Sequence, residues 1–137
     1  MGFTIDMTQA ANRQLAAADA LDGSQKQPVA AYLYGLAAEC AVKAMLKRLG
    51  VQEPKERTGP YYAHYPALRA ELADALTGRG ASVLEPFTKD GFLQDWDIVV
   101  RYARSDELVG SLHGRDARYL RWKKDAKQAV SKMQEIA

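Results

Sequence analysis

The stretch from Val29 to Leu49 constrains this chain more than any other. Twenty-one residues run without a proline and with a single glycine, Gly35. Leu33, Leu36, Cys40 and Ala44 recur at three- and four-residue steps and mark one helical face, while Tyr32, Tyr34, Ala41, Met45 and Leu49 add apolar surface elsewhere. A helix apolar around most of its circumference is packed by neighbours on several sides, so this one is predicted to be the central element. Pro28 suits the first helical position and Gly50 a stop. Gly35 costs about 1 kcal/mol relative to alanine in a helix. Its expected use is close approach of another helix backbone.

Helical periodicity continues on both sides. Met7, Ala11, Leu15, Ala18 and Leu21 predict a first helix over about Asp6–Leu21, with Gly23 suited to a left-handed cap. A third helix is predicted to open at His64 or Tyr65, with Pro66 in its first turn. Leu68, Leu72, Ala75 and Leu76 form its face, and Gly78 and Gly80 its end. Pro86 breaks any helix within Ala81–Gly91, where Phe87 and Phe92 read as core plugs. Asp95–Arg104 reads as a fourth helix with Trp96, Val99, Val100 and Ala103 inward. The last helix, about Arg115–Ile136, carries an inner seam of Tyr119, Trp122, Ala126, Ala129, Met133 and Ile136. Strand signals are nearly absent. The expectation is one all-α domain over residues 1–137, an antiparallel up-and-down bundle of four or five helices.

Composition narrows the function classes. The 137 residues are 47% apolar and 26% charged, enough apolar material for one core and too much for a disordered chain. Net charge is +2, so the chain as a whole makes no case for nucleic acid. The segment 115–132 differs, with seven basic residues against two acidic ones. It reads first as a solvated helix face and second as a phosphate-facing patch. Cys40 stands alone in an apolar run and reads as a small hydrophobe. No stretch of 18 uncharged apolar residues occurs and no leader opens the chain, so no membrane span and a cytoplasmic setting are expected.

Three groups of residues could carry chemistry. Glu39 and Lys43 are four apart with the acid first, the favoured order for a helix pair worth about 0.2–0.5 kcal/mol. If buried, Glu39 needs a partner, for which Arg101 is the expectation. Arg101, Arg104 and His113 form a second group. Guanidinium forks hold phosphate, and a histidine moves a hydroxyl proton, which together suit metal-free phosphodiester chemistry. Arg57 and His64 form a third, with Tyr61 and Tyr62 between them as rings able to stack on a base. The same tyrosines could instead seal a loop onto the bundle. No metal site is expected, because neither histidine has a second ligand at metal spacing, and no cofactor motif is present.

Three stretches together resemble the HEPN family of helical domains. Ala31–Leu46, with its small residues, Gly35, Glu39 and Lys43, is similar to the family's long second helix. His64-Tyr65-Pro66-Ala67-Leu68 is similar to the start of its third, and Trp96–Tyr102, ending Arg101-Tyr102, to the stretch before its last helix. The resemblance implies an antiparallel bundle, a homodimer, and a metal-independent endoribonuclease or a nucleotide- or RNA-binding module. Its members serve in bacterial-type stress, defence or toxin–antitoxin systems. A cognate antitoxin, or a nucleotidyltransferase that the chain would serve as partner subunit, is implied as well. The family's ribonucleases place a histidine a few residues after an arginine. Here eight residues separate Arg104 from His113, and Arg57 and His64, with six between them, lie ahead of the third helix. The expectation is therefore a degenerate catalytic motif. The site would line a groove between protomers, with Arg101 and Arg104 on phosphate, Glu39 orienting an arginine and His64 or His113 carrying a proton. Lys43, Arg57 and Tyr102 would assist binding.

Overall fold

The computed structural model describes residues 2–23, 26–51, 59–76, 80–104 and 117–136. These residues form helices and no strands. Helix α1 spans Met7–Asp22, α2 Gln27–Arg48, α3 Ala67–Ala75, α4 Gly80–Leu84 and α5 Ala117–Glu135. Two 3-10 segments, Glu85–Thr88 and Ile98–Tyr102, complete the order.

α2 is central, as its composition predicts. Residues 37–46 are all buried, so for nearly three turns it has no solvent face. The helix is long and apolar enough to cross a membrane by length and composition, but 78% of that window is buried inside the protein. Alanines make the tight fit possible. Ala11 and Ala18 of α1, Ala30, Ala31, Ala37, Ala38, Ala41 and Ala44 of α2, and Ala126 and Ala129 of α5 are all in the core. Small side chains let three helix backbones approach closely and add dispersion contacts between them. Cys40 sits in this core as a free thiol, and burial pushes its pKa up to about 11, which suits a space-filling role.

The helix directions follow from long-range contacts. α1 and α2 form an antiparallel hairpin, with Tyr34 Oη donating to Asp19 Oδ1 across the turn at 2.7 Å. α5 is antiparallel to α1, because Gln134 near its end meets Asn12 near the start of α1 at 3.0 Å, while Tyr119 near its start meets Asp22. It is therefore parallel to α2. The Tyr34 and Tyr119 rings meet edge-on near the two starts, and Arg48 Nε donates to Ile136 O near the two ends. A parallel pair needs a crossover connection, and the chain between α2 and α5 supplies it.

That crossover covers the remaining stripe of α2. Tyr32, Gly35, Glu39 and Lys43 lie at three- and four-residue steps on one face. The Trp96 ring stacks on Tyr32 at 6.3 Å and lies against Gly35, where a Cβ would come within 1.9 Å of Cε2. The close approach at Gly35 is thus to an indole rather than to a helix backbone. Trp96 Nε1 donates to Ala31 O at 3.2 Å and fixes the ring there.

Several local expectations also change. Gly23 caps α1 with φ −87°, outside the left-handed region, whereas Gly50 after α2 does take φ +84°. α3 begins at Ala67 with Pro66 as its cap residue, later than His64. The predicted fourth helix is only the 3-10 segment Ile98–Tyr102. Asp97 accepts from the Val99 N–H at its start, and Ala103 is already extended. The tighter winding, three residues per turn, turns Val99 outward, 60% exposed, while Trp96 and Val100 stay buried. Ala103 is exposed as well.

Phe87 and Phe92 plug the core as predicted, edge to face at 5.0 Å. The turn that follows is held by polar staples. Arg69 donates to the Lys89 and Phe92 carbonyls, Tyr65 Oη to Phe87 O, and Trp122 Nε1 to Gln94 O. Leu93 takes φ +51°, a region that costs an ordinary residue roughly 1–2 kcal/mol. Its fully buried side chain and the bond from its N–H to Asp125 Oδ2, at 2.8 Å, offset that cost.

Candidate functional site

Two neighbouring features at the C-terminal half of α2 concentrate chemistry. The first is a pair of residues from different elements. Glu39 is 1% exposed. Its Oε1 accepts from the Tyr65 N–H at 2.7 Å, and its Oε2 stands 2.9 Å from His64 Nδ1. The expected partner, Arg101, is elsewhere. Its guanidinium lies over the rings of Tyr32, at 5.8 Å, and Tyr102, at 4.7 Å. Tyr32 precedes Glu39 by seven residues, about 10 Å along the helix axis. Glu39 therefore orients a histidine, not an arginine.

The pair has the form of an acid–imidazole dyad. An ionised carboxylate only accepts, so it places the imidazole proton on Nδ1 and leaves the Nε2 lone pair for an outside group. The His64 side chain is 48% exposed, so that group can come from solvent. Burial raises the Glu39 pKa, opposed by the His64 contact, the nearby Lys43 charge and the Tyr65 N–H.

The second feature is a cleft of about 760 Å³. Residues just before and within the start of α1 (Ile5, Asp6, Met7 and Thr8), the end of α2 (Lys43, Ala44, Lys47 and Arg48) and the turn carrying Tyr61 and Tyr62 line it. Each part has a local cause. Asp6 caps α1, its Oδ1 accepting from the Gln9 N–H at 2.9 Å. Lys47 and Arg48 end α2, where cations suit the helix dipole. Tyr61 Oη donates to Val51 O and pins the tyrosine turn to the end of α2.

Lys43 is the unusual member. It is only 6% exposed, and burial lowers its pKa. Glu39, one turn earlier, attracts it but is committed to His64 and Tyr65. No described residue forms a salt bridge or hydrogen bond with Lys43. Among the described residues no buried side-chain nitrogen or oxygen is left without a partner, so the ammonium opens onto the cleft surface.

Of the other predicted residues, the described ones lie at the 3-10 segment and not in the cleft lining. Arg104 is exposed beyond the 3-10 segment, and Tyr102, 75% exposed, stands beside Arg101. Arg57 and His113 lie outside the described residues. The basic face of α5 reads as a solvated and locally paired surface. Lys123 pairs with Asp22, Lys127 with Asp19 and Lys132 with Glu135, and Arg121 donates to Gln94. Sequence reasoning singled out Lys43, Tyr61, Tyr62 and His64 but not Lys47, Arg48 or the Ile5–Thr8 segment. The overlooked signal was Lys43 and Lys47 at i and i+4, which puts two cations on one face of a largely apolar helix. Comparison with protein-family models, with curated proteins and with solved structures returned no match to the chain.

Proposed function

We propose that this protein is a HEPN-like helical module that binds a nucleotide or RNA, paired with a second copy, in a bacterial-type stress, defence or toxin–antitoxin system. One observation carries the reading. The cleft sets Lys43, Lys47 and Arg48 beside Tyr61 and Tyr62. Cations neutralise phosphate, and aromatic rings stack on bases with little regard to sequence. Its volume of about 760 Å³ lies in the range of small-ligand sites. The apolar central helix carrying Gly35, Glu39 and Lys43 is in keeping with the family resemblance.

Fluorescence anisotropy with a labelled single-stranded RNA tests this, at salt from about 50 to about 200 mM. The Lys47→Ala/Arg48→Ala variant is expected to bind at least about tenfold more weakly. Its log–log salt slope should fall by about 1.4, two single-strand phosphate contacts' worth. Equal affinity and slope in the two proteins would remove the cleft from the reading. No binding by either would favour a partner-subunit role.

The Glu39–His64 pair favours a second reading, a metal-independent ribonuclease in which His64 Nε2 takes the proton of an attacking hydroxyl. RNA cleavage in EDTA should then fall by about two to four orders of magnitude in His64→Ala. It should fall less in Glu39→Gln, which keeps an oxygen for the Tyr65 N–H. Cleavage that survives His64→Ala would discard this mechanism.

A further inference from the structure

The cleft's charge suggests which phosphate it takes, an inference that rests on the binding function proposed above. Among the described residues three cations, Lys43, Lys47 and Arg48, line it against one carboxylate, Asp6. Asp6 already spends Oδ1 on the α1 cap. Among the described lining residues the balance is +2, concentrated around a lysine that Glu39 attracts from one turn away but that has no salt-bridge partner among the described residues. An ammonium partly stripped of water and without a salt-bridge partner costs stability, so its position at the cleft surface fits an anion that arrives from outside. A phosphomonoester carries about −1.5 to −2 at neutral pH, close to the charge the cleft lacks. An internal phosphodiester carries half of that. A site of about 760 Å³ has room for one nucleotide and hence one such group.

We propose that the cleft binds the terminal phosphomonoester of a nucleotide or of an RNA end, with Lys43 bonding the phosphate and Tyr61 and Tyr62 flanking the nucleoside. Lys47 and Arg48, on the exposed end of α2, draw the dianion in. Lys43 then discriminates between a chain end and a passing strand, because only the terminal group carries the second negative charge.

Calorimetric titration of the full chain with matched RNAs carrying 5′-phosphate or 5′-hydroxyl tests this. Adenosine monophosphate, adenosine and the dinucleoside monophosphate ApA serve as small probes. The 5′-phosphorylated RNA is expected to bind about tenfold more tightly than its hydroxyl twin, the gain of a charge-assisted contact. If the source is a free nucleotide, the same preference appears for adenosine monophosphate over adenosine and ApA. Lys43→Met is expected to erase the preference while raising the Tm, since it removes a partly desolvated charge and leaves the methylene packing. Lys47→Gln, at an exposed position, is expected to narrow the preference several-fold and serves if Lys43→Met does not fold. RNA binding that ignores the 5′ group, together with equal binding of adenosine monophosphate and ApA, would overturn the proposal but leave the binding function standing. No binding of any probe would overturn both.

Discussion

Gly35→Ala is expected to lower the stability of the folded chain by about 2–3 kcal/mol, although alanine is the better helix former. The intrinsic preference favours alanine by about 1 kcal/mol. Space decides the outcome. The new Cβ would lie 1.9 Å from Trp96 Cε2 and 2.1 Å from Nε1. The indole cannot swing aside cheaply, because it is 1% exposed, bonds Ala31 O and stacks on Tyr32. Expelling it forfeits packing comparable to the roughly 3–5 kcal/mol lost when a large aromatic is truncated. Thermal unfolding followed by circular dichroism should show a Tm lower by roughly 10 °C. Trp96→Ala should cost much less in the Gly35→Ala background than alone, since the two changes share one contact. Equal or higher stability for Gly35→Ala would mean that the indole does not occupy this position.

Asp22→Ala is expected to cost about 2–3 kcal/mol, through a different mechanism. Asp22 is 6% exposed at the end of α1. Its Oδ1 accepts from Tyr119 Oη and its Oδ2 from Lys123 Nζ, each at 2.5 Å, while its carbonyl accepts from Gln27 Nε2 at 2.7 Å. One carboxylate thereby ties the α1–α2 turn to the start of α5. Breaking a buried pair costs about 3–5 kcal/mol. The Lys123 side chain, a quarter exposed, can regain some water, which lowers the figure. Asp22→Asn keeps an oxygen for Tyr119 and should cost about 1 kcal/mol. Urea midpoints for Asp22→Ala, Lys123→Met and the double variant close the cycle. Additive losses would show that the two side chains do not act together.

Much of the helical layout is legible in the chain. Val29–Leu49 reads as the central helix because residues of every angular position are apolar, and the seam from Tyr119 to Met133 reads as one face of α5 because polar residues alternate with it. Asp95–Arg104 misled for a physical reason. Trp96, Val99, Val100 and Ala103 fit helical spacing. In the fold Trp96 is drawn onto Gly35, and the Asp97 side chain takes the Val99 N–H, so the backbone turns once as a 3-10 segment and stops. A long-range anchor at Trp96 and a local side-chain bond at Asp97 together overrode the helical pattern.

The candidate site divides along the same line. Glu39, Lys43, His64, Tyr61 and Tyr62 stand out in the sequence by chemistry, but their partnerships do not. Arg101 is the candidate partner for Glu39 from sequence, and spacing does not point to His64. Packing lays the Arg101 guanidinium on Tyr32 and Tyr102 and brings the 59–65 turn over Glu39. The cleft draws on residues 5–8, 43–48 and 61–62, three segments that no local pattern connects.

The sequence by itself determined the all-helical class, the identity of the central helix and the inner face of α5. Those properties depend on residues within about one turn of each other, where helical periodicity acts. Only the tertiary structure decided that α5 runs parallel to α2, that an indole occupies the space above Gly35, that Glu39 holds His64, and that Lys43 opens onto a cationic cleft. Each of these is a choice among long-range partners of equal local merit. Close packing and the cost of burying an unpaired polar group select the one arrangement that satisfies all of them together.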